Sequence, residues 1–214
     1  MGKKELSGRL NWERLAGAKA ANAEQNLYEV FRAAFTGTKY VLHEKPKHLK
    51  NLYASVELDD TVLSEIYNPS IDLTKTKWGV SPDFAIENTE TGKILFGEIK
   101  RQDGWVEGKT QNDGRGNAHE RSCKLFTPGL IKAYRSIGKI DSEEILPFWV
   151  VFEGDITRDP KRVREVAFWY DTYVDNYFMW RPNASGAVLV EHFDKKLKKY
   201  LDWITPSLKL KPFE

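Results

Sequence analysis

Leu27, Val30, Phe31, Ala34 and Phe35 recur at the i, i+3, i+4, i+7, i+8 spacing of one buried helical face. That spacing predicts a helix over 23–35, ended by Thr36-Gly37. A shorter helical stretch precedes it over 12–20. Segment 39–54 mixes strand-like residues with Lys45, Lys47, His48, Lys50 and a proline, and settles on neither period. Residues 60–67 read as a short helix stopped by Asn68-Pro69. The pattern then turns strand-like over 83–88 and again over 93–100, with Thr89-Glu90-Thr91-Gly92 as a four-residue hairpin loop between the two runs. Thr127-Pro128 opens a helix that Gly138 ends. Ile145 to Phe152 is an unbroken apolar run, suited to a central strand buried on both faces. Asp159-Pro160 supplies an N-cap and a first-turn proline for a helix reaching about residue 173. A strand over 177–180, stopped by Arg181-Pro182, and a final helix over 186–203 complete the pattern. The sum is an α/β fold: one domain over 1–214, with a central mixed β-sheet flanked by helices and a tail at 204–214.

Composition agrees. The 214 residues are 41% hydrophobic and 13% aromatic, with seven Trp, enough for one well-packed core. No apolar run reaches the roughly 18 residues of a membrane span, and Met1-Gly2-Lys3-Lys4-Glu5 lacks the apolar stretch of a signal peptide. Cys123 is the single cysteine, which excludes an intramolecular disulfide and suits a reducing compartment, so the cytoplasm is the expected location. Net charge is only +2, but between Ile99 and Arg135 eight Lys or Arg stand against four acids. That local excess would draw a polyanion, although a solvated mixed-charge surface is the blander reading.

The excess follows directly after the most informative pattern in the chain. Pairing Asn88 with Lys93 across the hairpin loop sets a register that places Asp83 opposite Glu98, with Cβ atoms roughly 5 Å apart. Side chains alternate along a strand, so Glu98 and Lys100 share one face. Charges at a hairpin end are usually just solvated. Here, however, the strand around Glu98 is apolar on both faces, so the carboxylate and ammonium need partners, and Gly97 leaves room for a close approach. A hard cation such as Mg²⁺, held by Asp83, Glu98 and the Ile99 carbonyl beside phosphate oxygens and water, meets these demands. Such an ion relieves the repulsion between the carboxylates and supports hydrolysis of a phosphodiester. Lys100 would orient or deprotonate the water, or contact the phosphate, and the sequence does not choose among these.

A second constellation is Gly114-Arg115-Gly116-Asn117-Ala118-His119-Glu120-Arg121. Asn117 and Glu120 have the spacing of a capping box. A helix start of this kind can also enter a major groove, where Arg chelates guanine, Asn chelates adenine and Glu accepts from exposed amino groups. His43, His48, His119 and His192 share no metal-ligand spacing, and surface or packing roles are expected of them. The Lys195–Lys199 run reads as a solvated helix face, Cys123 as a small packed residue, and Tyr177 and Trp180 as core.

Pro82-Asp83, Glu98-Ile99-Lys100 and Gly116-Asn117-Ala118-His119-Glu120-Arg121 together resemble the type II restriction endonucleases of the EcoRI–MunI group, most strongly its MunI branch. The second motif is similar to that group's Gly-Asn-Ala-x-Glu-Arg signature, with His119 at the variable position. The resemblance implies the PD-(D/E)xK restriction-endonuclease-like fold and a homodimer on double-stranded DNA. It also implies Mg²⁺-dependent cutting of a palindromic hexamer with an AATT core, leaving 5′ overhangs, and a cognate DNA methyltransferase as the other half of the system. By motif, Asp83, Glu98 and Lys100 would be catalytic, while Asn117, Ala118, Glu120 and Arg121 would read the inner bases. Arg115 would read the outer C·G pair, which favours CAATTG over GAATTC. Two other readings stay open from the residues alone. One is a structure-selective repair or recombination nuclease; the other is a DNA-binding module that does not cut.

Overall fold

In a computed structural model, the described residues are 21–65, 78–101, 120–154, 160–181 and 183–203. Helix α1 occupies 21–35 and buries Ala23, Leu27, Tyr28, Phe31 and Phe35, with Val30 and Ala34 half-buried. The expected face is present, with Tyr28 added. Strand β1 (Tyr40–Glu44) follows, then a 3₁₀ turn (Leu52–Ser55) and helix α2 (Asp60–Glu65). Strands β2 (Phe84–Asn88) and β3 (Lys93–Arg101) form the hairpin. A 3₁₀ turn (Glu120–Phe126) leads into α3 (Pro128–Gly138), which Lys139 closes with φ 55°. Strand β4 (Phe148–Glu153), α4 (Pro160–Tyr170), a 3₁₀ turn (Val174–Asn176) and β5 (Tyr177–Trp180) come next. The chain ends its described course in α5 (Ala187–His192), a π-helical segment (Phe193–Leu197) and α6 (Lys198–Asp202).

The five strands lie in sequence order, β1 to β5. β1, β2 and β3 pair antiparallel, whereas β3–β4 and β4–β5 are parallel. Parallel neighbours require a crossover, and α3 and α4 fall in those connections. Alternation along the strands sends side chains to two cores. Phe84, Ile86, Leu95, Ile99, Trp149 and Val151 pack with α1 and the C-terminal helices. Ala85, Phe96, Phe148, Val150 and Phe152 pack with α3 and α4. Helices therefore cover both faces of a mixed sheet. No described helix is long and apolar enough to cross a membrane.

Several expected boundaries move, each for a physical reason. The apolar run over 145–152 begins pairing only at Phe148, because Pro147 has no N–H to give a ladder. Helix α4 ends at Tyr170 rather than near 173, since Asp171 turns left-handed at φ 44°. The final helix is one continuous run whose middle widens into π geometry at Phe193–Leu197. Cys123 is exposed and not packed, and Tyr177 is half-buried while Trp180 is core. The expected helix over 12–20, the loop 102–116, and the 204–214 tail lie outside the described residues.

Gly97 pairs with Phe84, whose ring lies over it: a Cβ built there would sit 2.1 Å from the ring edge. Phe84 is fully buried against Trp149, so the ring has little room to retreat. Gly97→Ala is expected to cost about 1–3 kcal/mol by overpacking, read as a lower urea midpoint at unchanged slope.

Candidate active site

The hairpin register runs from Asn88↔Lys93 to Phe84↔Gly97, as the four-residue loop predicts. One step further, Asp83 faces Glu98, and the side chains of Asp83, Glu98 and Lys100 meet on the face covered by α3 and α4. The Asp83 carboxylate oxygen Oδ2 accepts from the Ile99 N–H at 2.9 Å and from Lys100 Nζ at 3.0 Å. Lys100 Nζ also donates to Glu98 Oε2, and to the Ile99 carbonyl at 3.3 Å. Both carboxylates and that carbonyl thus converge on one ammonium. The Glu98 side chain is 5% exposed, against 20% for Asp83, so the three form a recess with Glu98 at its floor.

Burial sets the electrostatics. It pushes the Glu98 carboxyl up; the Lys100 ammonium opposes that rise and Asp83 adds to it. Burial pulls Lys100 down, but Glu98 and Asp83 outweigh it and leave the ammonium held above its ordinary value. Two acids gathered around one ammonium could also take up a metal cation. Among the described residues no group of three or more His, Cys, Asp or Glu converges anywhere, so an ion here would draw its other donors from carbonyl, water or phosphate oxygens. An all-oxygen donor set of that kind suits a hard cation such as Mg²⁺.

Of the expected DNA-reading residues, Arg115, Gly116, Asn117, Ala118 and His119 lie outside the described residues. Glu120 and Arg121 begin the 3₁₀ turn over Glu120–Phe126, so the segment expected as a helix start has tighter geometry where it is described. The Glu120 carboxylate lies 3.7 Å from Nη1 of the buried Arg162 on α4, which also bonds Glu165 at 2.6 Å. The turn packs through Leu125 into the α3–α4 core, on the sheet face that carries the acidic recess. Of the histidines, His43 contacts Glu87 at 2.6 Å and His192 stacks on Trp149, packing roles of the kind expected, while His119 lies outside the described residues.

Sequence reasoning missed the supports of the Asp83 main chain. Its carbonyl accepts from the Tyr28 hydroxyl at 2.7 Å and from the Lys45 N–H at 3.0 Å. A tyrosine beside the α1 apolar stripe is the available signal, because a buried phenol needs a partner; nothing in the sequence says which.

Comparison with known proteins agrees with this geometry. The family model described as "Type II restriction enzyme MunI" matches residues 1–202. The type II restriction enzyme MunI from Mycoplasma sp is 79% identical over 202 residues, spanning 94% of this chain and all of that protein. The crystal structure of MunI restriction endonuclease in complex with cognate DNA superimposes with a TM-score of 0.77 at 78% identity, covering 90% of this chain and 98% of that one. A mixed sheet with two acids and a lysine on one hairpin, and a match of this extent, lead to one conclusion: the chain belongs to the MunI family of type II restriction enzymes.

Proposed function

We propose that this enzyme makes Mg²⁺-dependent double-strand cuts at the palindrome CAATTG, leaving 5′-AATT ends, and that it works as a homodimer on duplex DNA in the cytoplasm. A cognate DNA methyltransferase would protect the host's own sites. The observation that carries the reading is the convergence of Asp83, Glu98, Lys100 and the Ile99 carbonyl in one recess. Asp83, Glu98 and the Ile99 carbonyl would hold the ion, which would supply charge neutralisation on the scissile phosphate and polarise a bound water. Glu98 contributes a carboxylate fixed by burial. Lys100, bonded to both carboxylates, would contact a phosphate oxygen, or orient or deprotonate the attacking water. Asn117, Ala118, Glu120 and Arg121 would read the inner A·T pairs, with Gly116 and His119 lining the same segment. Arg115 would chelate the guanine of the outer pair.

Incubating a plasmid that carries one CAATTG and one GAATTC with the enzyme and Mg²⁺, then sequencing the ends, tests this directly. A single cut at CAATTG with 5′-AATT ends is expected. Cutting at GAATTC would reassign the outer pair, and cutting confined to junctions or free ends would make this a repair nuclease. Arg115→Ala is expected to lose about 1–3 kcal/mol of discrimination at the outer pair. A loss spread equally over all sequences would instead make Arg115 a phosphate contact.

A further inference from the structure

Asp83 lies one residue outside β2, and the Lys45 N–H that bonds its carbonyl at 3.0 Å extends the β1–β2 register by one pair. The Tyr28 hydroxyl grips the same carbonyl at 2.7 Å from outside the sheet. Tyr28 comes from α1, on the sheet face opposite the acidic recess, and is itself buried. Lys45 is held at φ 46°, a left-handed conformation that lysine seldom adopts. Its ammonium pairs with Glu24 at 2.9 Å, one helical turn before Tyr28. One face of α1 therefore holds both the residue that donates to Asp83 and the Asp83 carbonyl itself. The carboxylate side is anchored through Oδ2 alone, by Ile99 and Lys100. Its direction depends on where the main chain sits.

We propose that Tyr28 is a positioning residue for DNA cleavage: its hydroxyl fixes the Asp83 main chain and so aims the carboxylate into the recess shared with Glu98 and Lys100. The proposal rests on the reading of Asp83 as a carboxylate that holds the metal ion. Partners one step removed from a metal ligand typically change ion affinity by about 10–100-fold when lost, because the ligand drifts from its productive angle. A helix that contributes no ligand would in this way set the ion affinity of the enzyme.

Tyr28→Phe in the full chain removes the hydroxyl and keeps the ring. Mn²⁺ binding to the DNA-free protein, followed by electron paramagnetic resonance, is expected to weaken about tenfold or more. The Mg²⁺ concentration for half-maximal cleavage should rise by the same factor, while metal-free affinity for a CAATTG duplex stays at the wild-type value. All measurements are made well below each variant's own Tm, so a loss of stability alone does not register. Wild-type Mn²⁺ affinity in Tyr28→Phe overturns the proposal, whether or not its Tm falls. Asp83→Ala, measured in parallel, separates the two failures. If it binds Mn²⁺ and cuts normally, the reading of Asp83 fails; if it does neither while Tyr28→Phe binds normally, only the role of Tyr28 fails.

Discussion

Asp83→Ala is expected to cut DNA at least about 10³-fold more slowly than the wild type while still binding its site. On the proposed reading the carboxylate would give the ion one of its two charged ligands, and an ion's stabilisation of a phosphoryl transition state amounts to several kcal/mol, at 1.36 kcal/mol per tenfold in rate. The structure adds a second reason. Asp83 and Glu98 share Lys100, so with Asp83 gone the ammonium would have Glu98 as its only carboxylate partner and would compete with an ion for it. Binding should survive, because removing a negative charge beside the DNA backbone does not oppose a phosphate. Single-turnover cleavage with saturating Mg²⁺, alongside a metal-free gel shift on a CAATTG duplex, reads the two properties separately. A variant that cut at the wild-type rate would remove Asp83 from the chemistry.

Asn176→Ala should be the most damaging change to stability away from the recess. The side chain is 1% exposed, and every polar atom on it is used. Its oxygen accepts from the Leu146 N–H at 3.0 Å, and its nitrogen donates to the carbonyls of Leu146 at 2.8 Å and Phe148 at 2.6 Å. It thereby ties the approach to β4 to the turn that starts β5. Truncation deprives three buried backbone groups of a partner, and each unsatisfied group costs about 1–3 kcal/mol. A combined loss of about 3–4 kcal/mol is expected, seen as a lower urea midpoint with unchanged slope. Below about 1 kcal/mol, water would have to be replacing the amide. Cleavage by the folded fraction should stay at the wild-type rate, since none of these contacts reaches Asp83, Glu98 or Lys100.

The parts of the fold that were legible in the sequence are those whose period is uninterrupted. The β2–β3 register followed from a four-residue loop whose last position, Gly92 at φ 65°, suits a tight turn. Since side chains alternate on a strand, that register alone carried the meeting of Asp83, Glu98 and Lys100. Strand β1 was hidden because it sits at the sheet edge with only Tyr40 buried, so its mixed residues show no alternation. The π segment at Phe193–Leu197 left no trace either, as a 3.6-residue pattern absorbs one extra residue without losing its apolar face. Cys123 misled through its residue type: cysteines are usually buried, and this one lies on the outer side of a 3₁₀ turn. Tyr28 was invisible for a different cause. Its partner is a backbone carbonyl 55 residues away, and backbone atoms carry no sequence signature.

The closeness of the two acids along the chain has a consequence for how the molecule assembles. A four-residue loop is cheap to close, and hairpins of this kind zip within about 1–10 μs, ahead of the long-range parallel pairing of β3 with β4. Were the hairpin to close first, like charges would meet in a half-built sheet, before the rest of the protein could shelter them. Lys100 arrives on the same strand at the same moment, two positions after Glu98. The sequence thus ships its own counterion, and an early folding step that repulsion would slow can go forward in the absence of any metal.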